Sequence, residues 1–473
     1  MELKKYKLAD IAKIEISGVD KKTMEGEIPV RLCNFVDVYY NWAITKEKAK
    51  TFMVASAKQT EIDKCSIGKG MVAITKDSET RDDIGVATYI ADDFENVVLG
   101  YHCALIIPNS TVVDGKYLNA FMHTRYIQKY FENNASGSGQ RYTLSNDTIG
   151  NIPVLLPSID EQHTIGKVLA DIDSKIELNK QINDNLEAIA KQLYDYWFVQ
   201  FDFPNEEGKP YKSSGGAMVW NDKLKREIPK GWYAENICKI ANILSGGTPS
   251  KAVDEYWNNG TIPFFGPTDC NGSVFQIKTA DHITQKGLEH CASSLFEEGI
   301  VIITARGSIG KLVIVGTPMA MNQSCYALQS KEGEYEYLYF LTTQLIDCLK
   351  AKGSGSVFKS IIASDIEHST LCIATENVVS DFCKKVKPLF EKLKANTIEI
   401  AELTKQRDEL LPLLMNGQAT VNYHLSAKAY PLPIAYKKAM PIEANQIISS
   451  TFIQKSDSHT PSPRLQTSQI HCS

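Results

Sequence analysis

Residues 158–200 constrain the fold of this chain more than any other stretch. Ser158 and Glu161 have the spacing of a capping box, which opens a helix, and no proline follows before Pro204. Apolar residues then recur with the a and d spacing of a heptad repeat. The d positions are Ile165, Ile172, Asn179, Leu186 and Leu193, and the a positions are Leu169, Ile176, Asn183, Ala190 and Trp197. The stretch therefore predicts one long coiled-coil helix with a polar break in its middle.

Such a helix needs a single partner helix, and the chain supplies one. About forty residues rising roughly 1.5 Å each make a helix on the order of 60 Å long, whose apolar stripe is too narrow for a core helix. At a shift of 217 positions Asn396 repeats Asn179. The second series has d positions Phe382, Leu389, Asn396, Leu403 and Leu410, and a positions Val386, Leu393, Ile400, Arg407 and Leu414.

The repeat extends upstream of both helices. SGSG at 136–139 corresponds to GSGS at 353–356, and GEIP at 26–29 corresponds to GTIP at 260–263. The chain is therefore read as two copies of a globular module, each followed by a long helix, and duplicated units commonly assemble about a pseudo-twofold axis. We expect an α+β fold in which two modules are separated by two long antiparallel coiled-coil helices.

The predicted boundaries follow from this repeat. They are 1–157 for module one, 158–200 for the central helix, 201–227 for an aromatic-rich connector, 228–374 for module two, 375–420 for the second helix and 421–473 for a polar tail expected to be disordered. Module one mixes three strand-like runs, VRLCNFVDVYY, GMVAIT and VVLGYHCALIIP, with one helix, KYLNAFMHTRYIQKYF, from Lys116. The connector aromatics either pack onto module two or form a partner site.

The helix midpoints predict a register. In an antiparallel pair centred on both midpoints, Asn183 faces Asn396 and Asn179 faces Ile400. An a position then meets a d position, as antiparallel packing requires, and the two Asn amides can bond each other. The alternative is that these Asn residues lie at a widened, wet centre and specify nothing.

Composition narrows the class of protein. A net charge of -5 excludes a uniformly basic nucleic-acid binder, so any DNA contact must come from local patches. Eleven Cys without a C-x-x-C pair fit reduced thiols better than disulfides or a zinc site. No apolar run approaches 18 residues and no leader is recognisable at the start. We expect a cytoplasmic protein without a membrane span.

In module one, basic and polar residues gather where strands end. They include Lys58, Lys76 and His102, together with SGSGQRY, which contains Arg141. A Gly-rich loop with an Arg can approach a phosphate backbone closely because glycine leaves the backbone amides accessible. The alternative is a solvated, flexible loop, and His102 is read as structural or solvated. Arg141 is the candidate base contact of this module, and Lys58 and Lys76 are candidate phosphate contacts.

In module two, ARGSIGK joins two β-rich runs. Gly307 and Gly310 leave Arg306, Ser308 and Lys311 projecting from one tip. Arg306 can bond guanine through two hydrogen bonds, whereas the alternative is a hairpin that is merely solvated. The other candidate base contacts are Ser308, Gln323 and Thr248, and the candidate phosphate contacts are Lys251, Lys311, Lys352 and Lys359.

Catalytic motifs are absent from the sequence. There is no [DNS]-P-P-[YFW], H-E-x-x-H or G-x-S-x-G, and GSIGK is no Walker A because Ala305 stands where glycine is required. No catalytic residue and no metal ligand is therefore assigned. A chain of two modules and two helices without chemistry of its own is typical of a recognition subunit.

Several segments of this chain resemble the specificity subunit of a type I restriction-modification enzyme. They are the stretch from LPSIDEQHTIGKVLADIDSK to YWFVQFDFP, then GKPYKSSGGAMVWNDKLKREIPKGW, SGGTPSK, TARGSIGK and MNQSC. The resemblance covers about residues 5–420. Module one departs from it in lacking GGTPS and the RGSIG hairpin.

The resemblance implies two target-recognition domains, each reading one half of a bipartite site in double-stranded DNA. It also implies that two adenine methyltransferase subunits and motor-nuclease subunits assemble on the chain. S-adenosylmethionine, ATP and Mg²⁺ would be bound by those partners, and no cofactor by this chain. A non-enzymatic coiled-coil scaffold that binds other proteins is the alternative, and a steep loss of binding with salt would distinguish DNA binding from it.

Overall fold

A computed structural model describes residues 2–138, 141–352 and 360–419, with only the backbone described for Ser138 and Lys352. The predicted tail, 421–473, lies outside the described residues. The chain divides into two compact units. Unit 1 contains Met1–Lys175 and the described part of Leu403–Ser462, and unit 2 contains Ile176–Glu402. Among the described helices, none is long and apolar enough to cross a membrane.

Unit 1 is built mainly of short strands. These are β1 (Lys4–Lys7), β2 (Ala12–Ile16), β3 (Ile28–Cys33), β4 (Ala43–Ile44), β5 (Met53–Ala57), β6 (Val72–Thr75), β7 (Asp77–Ser78), β8 (Ala87–Ile90), β9 (Val97–Leu99), β10 (Cys103–Pro108), β11 (Ser136–Ser138), β12 (Arg141–Thr143) and β13 (Pro153–Leu156). The helices are α1 (Leu8–Ile11), α2 (Phe35–Tyr39), α3 (Lys46–Ala49), α4 (Gln59–Cys65), α5 (Gly115–Met122), α6 (Arg125–Asn134), α7 (Asn146–Gly150) and the first part of α8 (Ile159–Tyr194).

Unit 2 repeats this plan. Its strands are β14 (Met218–Asn221), β15 (Arg226–Pro229), β16 (Tyr233–Glu235), β17 (Ala241–Ser245), β18 (Ile262–Phe265), β19 (Phe275–Gln276), β20 (Asp281–Ile283), β21 (Val301–Thr304), β22 (Leu312–Val315), β23 (Ala320–Met321), β24 (Cys325–Ser330) and β25 (Leu371–Ile373). The helices are α9 (Gln285–Glu289), α10 (Tyr335–Lys352), α11 (Ala363–Glu367) and most of α12 (Glu376–Met415). A π-helical turn, Asp195–Val199, follows α8, and 3-10 turns occupy Ile237–Lys239, Asp254–Tyr256 and Pro267–Asp269.

The two units share one sheet topology. The five-stranded sheet has the order β2-β10-β6-β8-β4 in unit 1 and β17-β24-β21-β22-β19 in unit 2. In both, the first three neighbouring pairs are antiparallel and the last is parallel. The three-stranded sheets β5-β3-β9 and β20-β18-β23 also match, each with one antiparallel and one parallel pair. This topology confirms the predicted duplication, and GEIP and GTIP lead into the equivalent strands β3 and β18.

Two local predictions for module one are wrong. The helix from Lys116 is two helices, because the Thr124 hydroxyl accepts from the Ile127 N–H and starts α6 after a break at His123. The apolar stripe continues across the break, with Tyr117, Phe121 and Phe131 all buried, so periodicity could not reveal it. The run VRLCNFVDVYY leaves the sheet after Cys33, where Asn34 forms a capping box with Asp37 and begins α2.

The connector aromatics pack mostly inside unit 2. Phe201, Phe203 and Trp232 are buried, and Tyr211 stacks on Phe203 with 4.6 Å between ring centroids. They join a cluster with Tyr194, Trp197 and Phe198 from the end of α8 and the π-helical turn. Trp220, on the β14–β15 hairpin, is 58% exposed. The packing alternative therefore describes this segment except for Trp220.

The first long helix begins with the capping box that the sequence predicts. The Ser158 N–H donates to Glu161 Oε2 at 3.1 Å, and the Glu161 N–H donates to Ser158 Oγ at 3.4 Å. Within unit 2 the helices run antiparallel, since Asn179 Nδ2 donates to Glu399 Oε2 and Asn396 Nδ2 donates to Asn183 Oδ1, both at 2.9 Å. The second pair is the one that the centred register predicts. Asn179 meets Glu399, one position from the predicted Ile400.

Candidate nucleic-acid interface

The hairpin between β21 and β22 presents Arg306 on a fixed tip. Thr304, the last residue of β21, accepts the Lys311 N–H at its Oγ1 (2.9 Å) and the Gly310 N–H at its carbonyl (2.8 Å). Gly310 has φ +74°, and a Cβ there would lie 2.9 Å from the Ile346 side chain of α10. Only glycine fits this position without strain. Arg306 and Ser308 are exposed on the resulting tip.

Two further segments meet this hairpin. The Arg306 N–H donates to the carbonyl of Ser324 at 3.2 Å, which places the tip beside Gln323. The Thr248 hydroxyl in turn donates to Gln323 Oε1. A cavity of about 290 Å³ is lined here by Thr248, Lys251 and Gln323, together with Phe264, Gly266, Thr268, Asp269, Ala280, Asp281 and Asn322. The structure thus gathers residues predicted as base and phosphate contacts from segments up to 75 positions apart.

The remaining lysine candidates of module two are placed differently. Lys311 turns back toward its own unit, and its Nζ donates to the Cys270 carbonyl at 3.2 Å. Lys251 lies over the Trp257 ring, 5.5 Å from the centroid. Lys359 lies outside the described residues, as does the side chain of Lys352. Of the two lysines whose side chains the structure describes, Lys251 joins the surface around Arg306.

Unit 1 has a hairpin of the same construction, between β6 and β8. Thr75 accepts the Val86 N–H at its Oγ1 (3.0 Å) and the Gly85 N–H at its carbonyl (3.1 Å). Gly85 has φ +80° and packs against Phe131 of α6, as Gly310 packs against α10. Gly85 follows Thr75 by ten positions, whereas Gly310 follows Thr304 by six. The expectation that module one lacks this hairpin is therefore wrong, because a longer loop hides it in the sequence.

The neighbouring loops are equivalent as well. The Asn34 N–H donates to the Asp37 carboxylate, as the Gly266 N–H does to the Asp269 carboxylate, both at 2.8 Å. The Lys76 N–H donates to the His102 carbonyl at 2.9 Å, and the Ala305 N–H to the Ser324 carbonyl at 2.8 Å. Each unit therefore presents the same loop face, which we define as the β6–β8, Asn34–Asp37 and Gly100–His102 loops in unit 1 and their counterparts in unit 2.

A charged cluster occupies the loop face of unit 1. Asp77 Oδ2 lies 3.1 Å from Lys76 Nζ, 2.8 Å from His102 Nδ1 and 3.0 Å from Arg141 Nη2. Burial raises the pKa of Asp77, but hydrogen bonds from His102, Thr143 and Lys76 outweigh it and hold the pKa at about 2. The carboxylate is therefore charged at neutral pH.

Sequence reasoning named three members of this cluster and missed Asp77. Lys76, the candidate phosphate contact, has a side chain only 12% exposed and lies over the Tyr101 ring, whereas the Arg141 side chain is 53% exposed. One sequence feature could have identified Asp77: it is an acidic residue directly after a buried strand, at the strand end where the basic residues gather.

Lys58 does not join this face. It precedes α4, beyond Ala57, which pairs with Ile28 at the start of β3. The loop face lies at the other end of β3, where Cys33 pairs with Leu99. Elsewhere, across the part of the chain that the structure describes, no group of three or more His, Cys, Asp or Glu side chains is placed to hold a metal ion.

Two copies of one module, each with a loop face that carries exposed basic side chains, define a paired-module recognition protein. A family model described as the type I restriction modification DNA specificity domain matches residues 1–188 and 229–374. The chain therefore belongs to the family of type I restriction-modification specificity subunits, and it is a non-catalytic subunit. This assignment favours the recognition reading over a protein-binding scaffold.

Individual specificity subunits are similar to this chain in sequence and in fold. The chain is 30% identical over 334 residues to the type I restriction enzyme MjaIX specificity subunit of Methanocaldococcus jannaschii, covering 67% of this chain and 71% of the relative. It is 24% identical over 392 residues to the HindI specificity subunit of Haemophilus influenzae, covering 72% and 85%. The fold is similar to the crystal structure of the type I restriction-modification S subunit from M. genitalium, with a TM-score of 0.53, 15% identity and coverage of 88% and 96%.

Proposed function

We propose that this chain reads a bipartite site in double-stranded DNA, one half with each unit, and directs adenine methylation and restriction by partner subunits. The observation that carries the proposal is the loop face, which is built twice on the same backbone bonds but with different side chains. Arg306 and Gln323 occupy it in unit 2, whereas in unit 1 His102 occupies it and Arg141 of β12 contacts it through Asp77. A shared frame with different side chains is suited to reading two different half-sites.

The chemistry of the face supports DNA as the ligand. An exposed Arg on a fixed tip can donate two hydrogen bonds to O6 and N7 of guanine, and an amide such as that of Gln323 can pair with adenine. Lys251 beside them is suited to a phosphate oxygen, which positions a protein on DNA without reading sequence. These local groups supply the positive charge that the chain as a whole lacks, with its net charge of -5.

The partners proposed here are two adenine methyltransferase subunits and motor-nuclease subunits. S-adenosylmethionine, ATP and Mg²⁺ would act on those subunits. The role of this chain is to bind and orient: its loop faces select the site, and its long helices provide an antiparallel pair for assembly. No chemical step is assigned to its own residues.

Methylome sequencing tests the proposal. The full chain is expressed with its cognate methyltransferase in a host without other adenine methylation. We expect one methylated motif of two defined halves separated by a fixed number of unread base pairs, and no motif when this chain is omitted. Methylation without a motif, or a motif that persists without this chain, would contradict the proposal.

A further inference from the structure

The charged cluster of unit 1 brings three nitrogen groups to one carboxylate oxygen. Lys76, His102 and Arg141 all contact Asp77 Oδ2 within 3.1 Å, and Asp77 is 7% exposed. The four side chains come from the β6–β8 hairpin, the turn before β10 and strand β12. The strand pairing of Thr143 with Asp77 fixes β12 beside this hairpin. The arrangement is therefore set by the sheet and not only by side-chain contacts.

The cluster carries more positive charge than its carboxylate neutralises. Lys76 and Arg141 together carry one positive charge more than the Asp77 carboxylate neutralises. Lys76 is nearly buried and is satisfied by Asp77 and the Tyr101 ring. The surplus therefore lies on Arg141, which is half-exposed. A braced, half-exposed Arg is suited to a ligand with hydrogen-bond acceptors.

Arg141 uses one nitrogen for this bracing. Its Nη2 donates to Asp77 Oδ2 at 3.0 Å. His102 Nδ1 donates to the same oxygen at 2.8 Å, so His102 holds the carboxylate and does not accept a bond from Arg141. Within the residues described, Nη1 and Nε make no hydrogen bond. A guanidinium donates up to five hydrogen bonds in a planar fork, and a fork already oriented loses little side-chain freedom when it binds. The guanidinium has two edges with paired N–H donors, Nη1/Nη2 and Nη2/Nε, and one bond from Nη2 leaves one of these edges complete. That edge matches the O6 and N7 acceptors of guanine.

Electrostatics distinguishes between a base and a phosphate as the ligand of this guanidinium edge. The Asp77 carboxylate offsets part of the positive charge of Arg141 and so weakens its attraction for a phosphate. Hydrogen bonds to the uncharged edge of guanine depend mainly on the orientation of the fork, which Asp77 fixes. A carboxylate-braced Arg therefore favours a base over the backbone.

We propose that Asp77 is a positioning residue that presents Arg141 to one guanine in the half-site read by unit 1, with His102 supporting the same orientation. The inference rests on the proposed function and adds a base and two residues to it. Lys76 then serves to hold Asp77 in place and does not contact phosphate. Unit 2 reads through Arg306, whose side chain has no hydrogen bond or ion pair in the described part of the chain, so the two units use different devices.

The test uses the complex of the full chain with its methyltransferase subunits. Binding is measured to the methylated motif found for the wild type and to duplexes with a single base pair changed in turn. For Arg141→Lys we expect the preference for one guanine to fall roughly 5- to 150-fold while the salt dependence of binding is kept, because Lys retains the charge but not the fork. Asp77→Asn should weaken the preference at the same position.

A double variant isolates the positioning role. Adding Asp77→Asn to Arg141→Lys should change the preference at that guanine no further, because Asp77 acts through Arg141. Arg125→Ala removes an exposed Arg from α6 outside the loop face and should leave every preference unchanged. Thermal unfolding of each variant shows whether it is folded.

Two results would overturn the inference. If Arg141→Lys keeps every base preference, Arg141 contacts phosphate. If Asp77→Asn lowers thermal stability but leaves all preferences intact, or alters a different position, Asp77 is only structural. A wild-type complex without any motif would instead refute the proposed function.

Discussion

Arg306 and Arg141 are the arginine candidates for base contacts in the two units, but their surroundings differ. Arg141 is braced by a buried carboxylate, whereas the Arg306 backbone is fixed by Thr304 and Ser324 and its side chain is exposed. A free side chain must lose rotamer entropy on binding, which lowers its net contribution. The fixed backbone of the hairpin tip limits the loss to the side chain.

We expect Arg306→Ala to cost about 1 to 3 kcal/mol for the specific site and to relax discrimination at one base of the half-site read by unit 2. The measurement is binding to duplexes with single base-pair changes. Lys251→Ala is the matched comparison, since loss of a phosphate contact should weaken binding to all sequences alike and reduce the slope of log K against log salt by about 1. A uniform loss for Arg306→Ala would assign it to phosphate as well.

His123 provides a prediction about pH. Its ring stacks on Trp42 at 4.3 Å, Nε2 donates to the Ala87 carbonyl at 3.0 Å, and Arg407 also lies over Trp42 at 4.7 Å. Burial and then the positive charge of Arg407 lower the pKa of His123 to about 4. The unfolded chain, with an ordinary His pKa near 6.5, therefore takes up this proton first as pH falls. Stability from the neutral ring is complete above about pH 6.5 and is lost progressively toward pH 4.

His123→Gln should remove this dependence. The amide can still bond the Ala87 carbonyl but does not titrate. The midpoint of thermal unfolding is measured from pH 7 to pH 4 for both proteins, so that contributions from other groups cancel in the difference. We expect the wild-type midpoint to fall more steeply than the variant's over this interval. Parallel curves would show that His123 is not protonated on unfolding.

At the scale of elements, a helix or strand can be predicted from the sequence when the pattern that encodes it repeats along one segment of the chain. The long helices and their Asn pair are encoded in a heptad pattern that recurs along one chain segment, so a sequence reveals them. The two-helix break at Thr124 is a local capping event within an unbroken apolar stripe, which periodicity ignores. The β6–β8 hairpin of unit 1 shares the Thr and Gly anchors of its counterpart but has a longer loop. Its equivalence is visible only once the backbone bonds are compared.

The residues of the candidate site can likewise be predicted only where a local sequence pattern marks them. Arg306, Gln323 and Thr248 were found because each lies in a recognisable turn or Gly-rich loop. Asp77 lies 64 positions from Arg141, and no local pattern links them. Contacts at such separation depend on strand pairing, which a single sequence does not specify. Lys58 shows the converse, because a basic residue at a strand end was assigned to a face from which the sheet separates it.

The Asn183–Asn396 pair supports a prediction about the helix register. Asn396 is fully buried, and its Oδ1 has no partner among the described groups, while Nδ2 depends on Asn183. Asn183→Leu should therefore leave a second buried polar group unsatisfied and lower the free energy of unfolding by about 1 to 3 kcal/mol. Asn396→Leu in addition should restore much of the loss, because replacing both partners with apolar groups removes the unsatisfied amide.

Denaturant unfolding of the two single variants and the double variant gives this coupling directly. Leu186→Ala, a neighbouring apolar position of α8, is the comparison for a change in packing alone and should not couple to Asn396→Leu. If the double variant changes the free energy of unfolding by the sum of the two single changes, the two amides are not energetically coupled and do not specify the register.

For the whole molecule, the duplicated topology has a consequence for how specificity is encoded. The shared sheets and the Thr-anchored hairpins form the frame of each unit, whereas Arg306 and Gln323 lie in loops on that frame, and Asp77 and Arg141 lie on the short strands β7 and β12 beside it. Loops tolerate changes in length and sequence better than the strands they join. The four-residue difference between the two hairpins is an example within this chain. A new half-site can therefore be acquired by one unit without altering the frame of the other.

Exchange of one module with that of a relative tests this separation. The structure places suitable junctions at Gly231, between β15 and β16, and at Ala374, between β25 and α12, so that the exchange of residues 231–374 interrupts no strand or helix. Because base contacts are local to each loop face, we expect methylome sequencing to show one half of the motif replaced and the other half unchanged. Exchange of only residues 305–311, the Arg306 hairpin, is the narrower comparison and should alter fewer positions of the same half. A change in both halves, or in neither, would show that the two units do not read DNA independently.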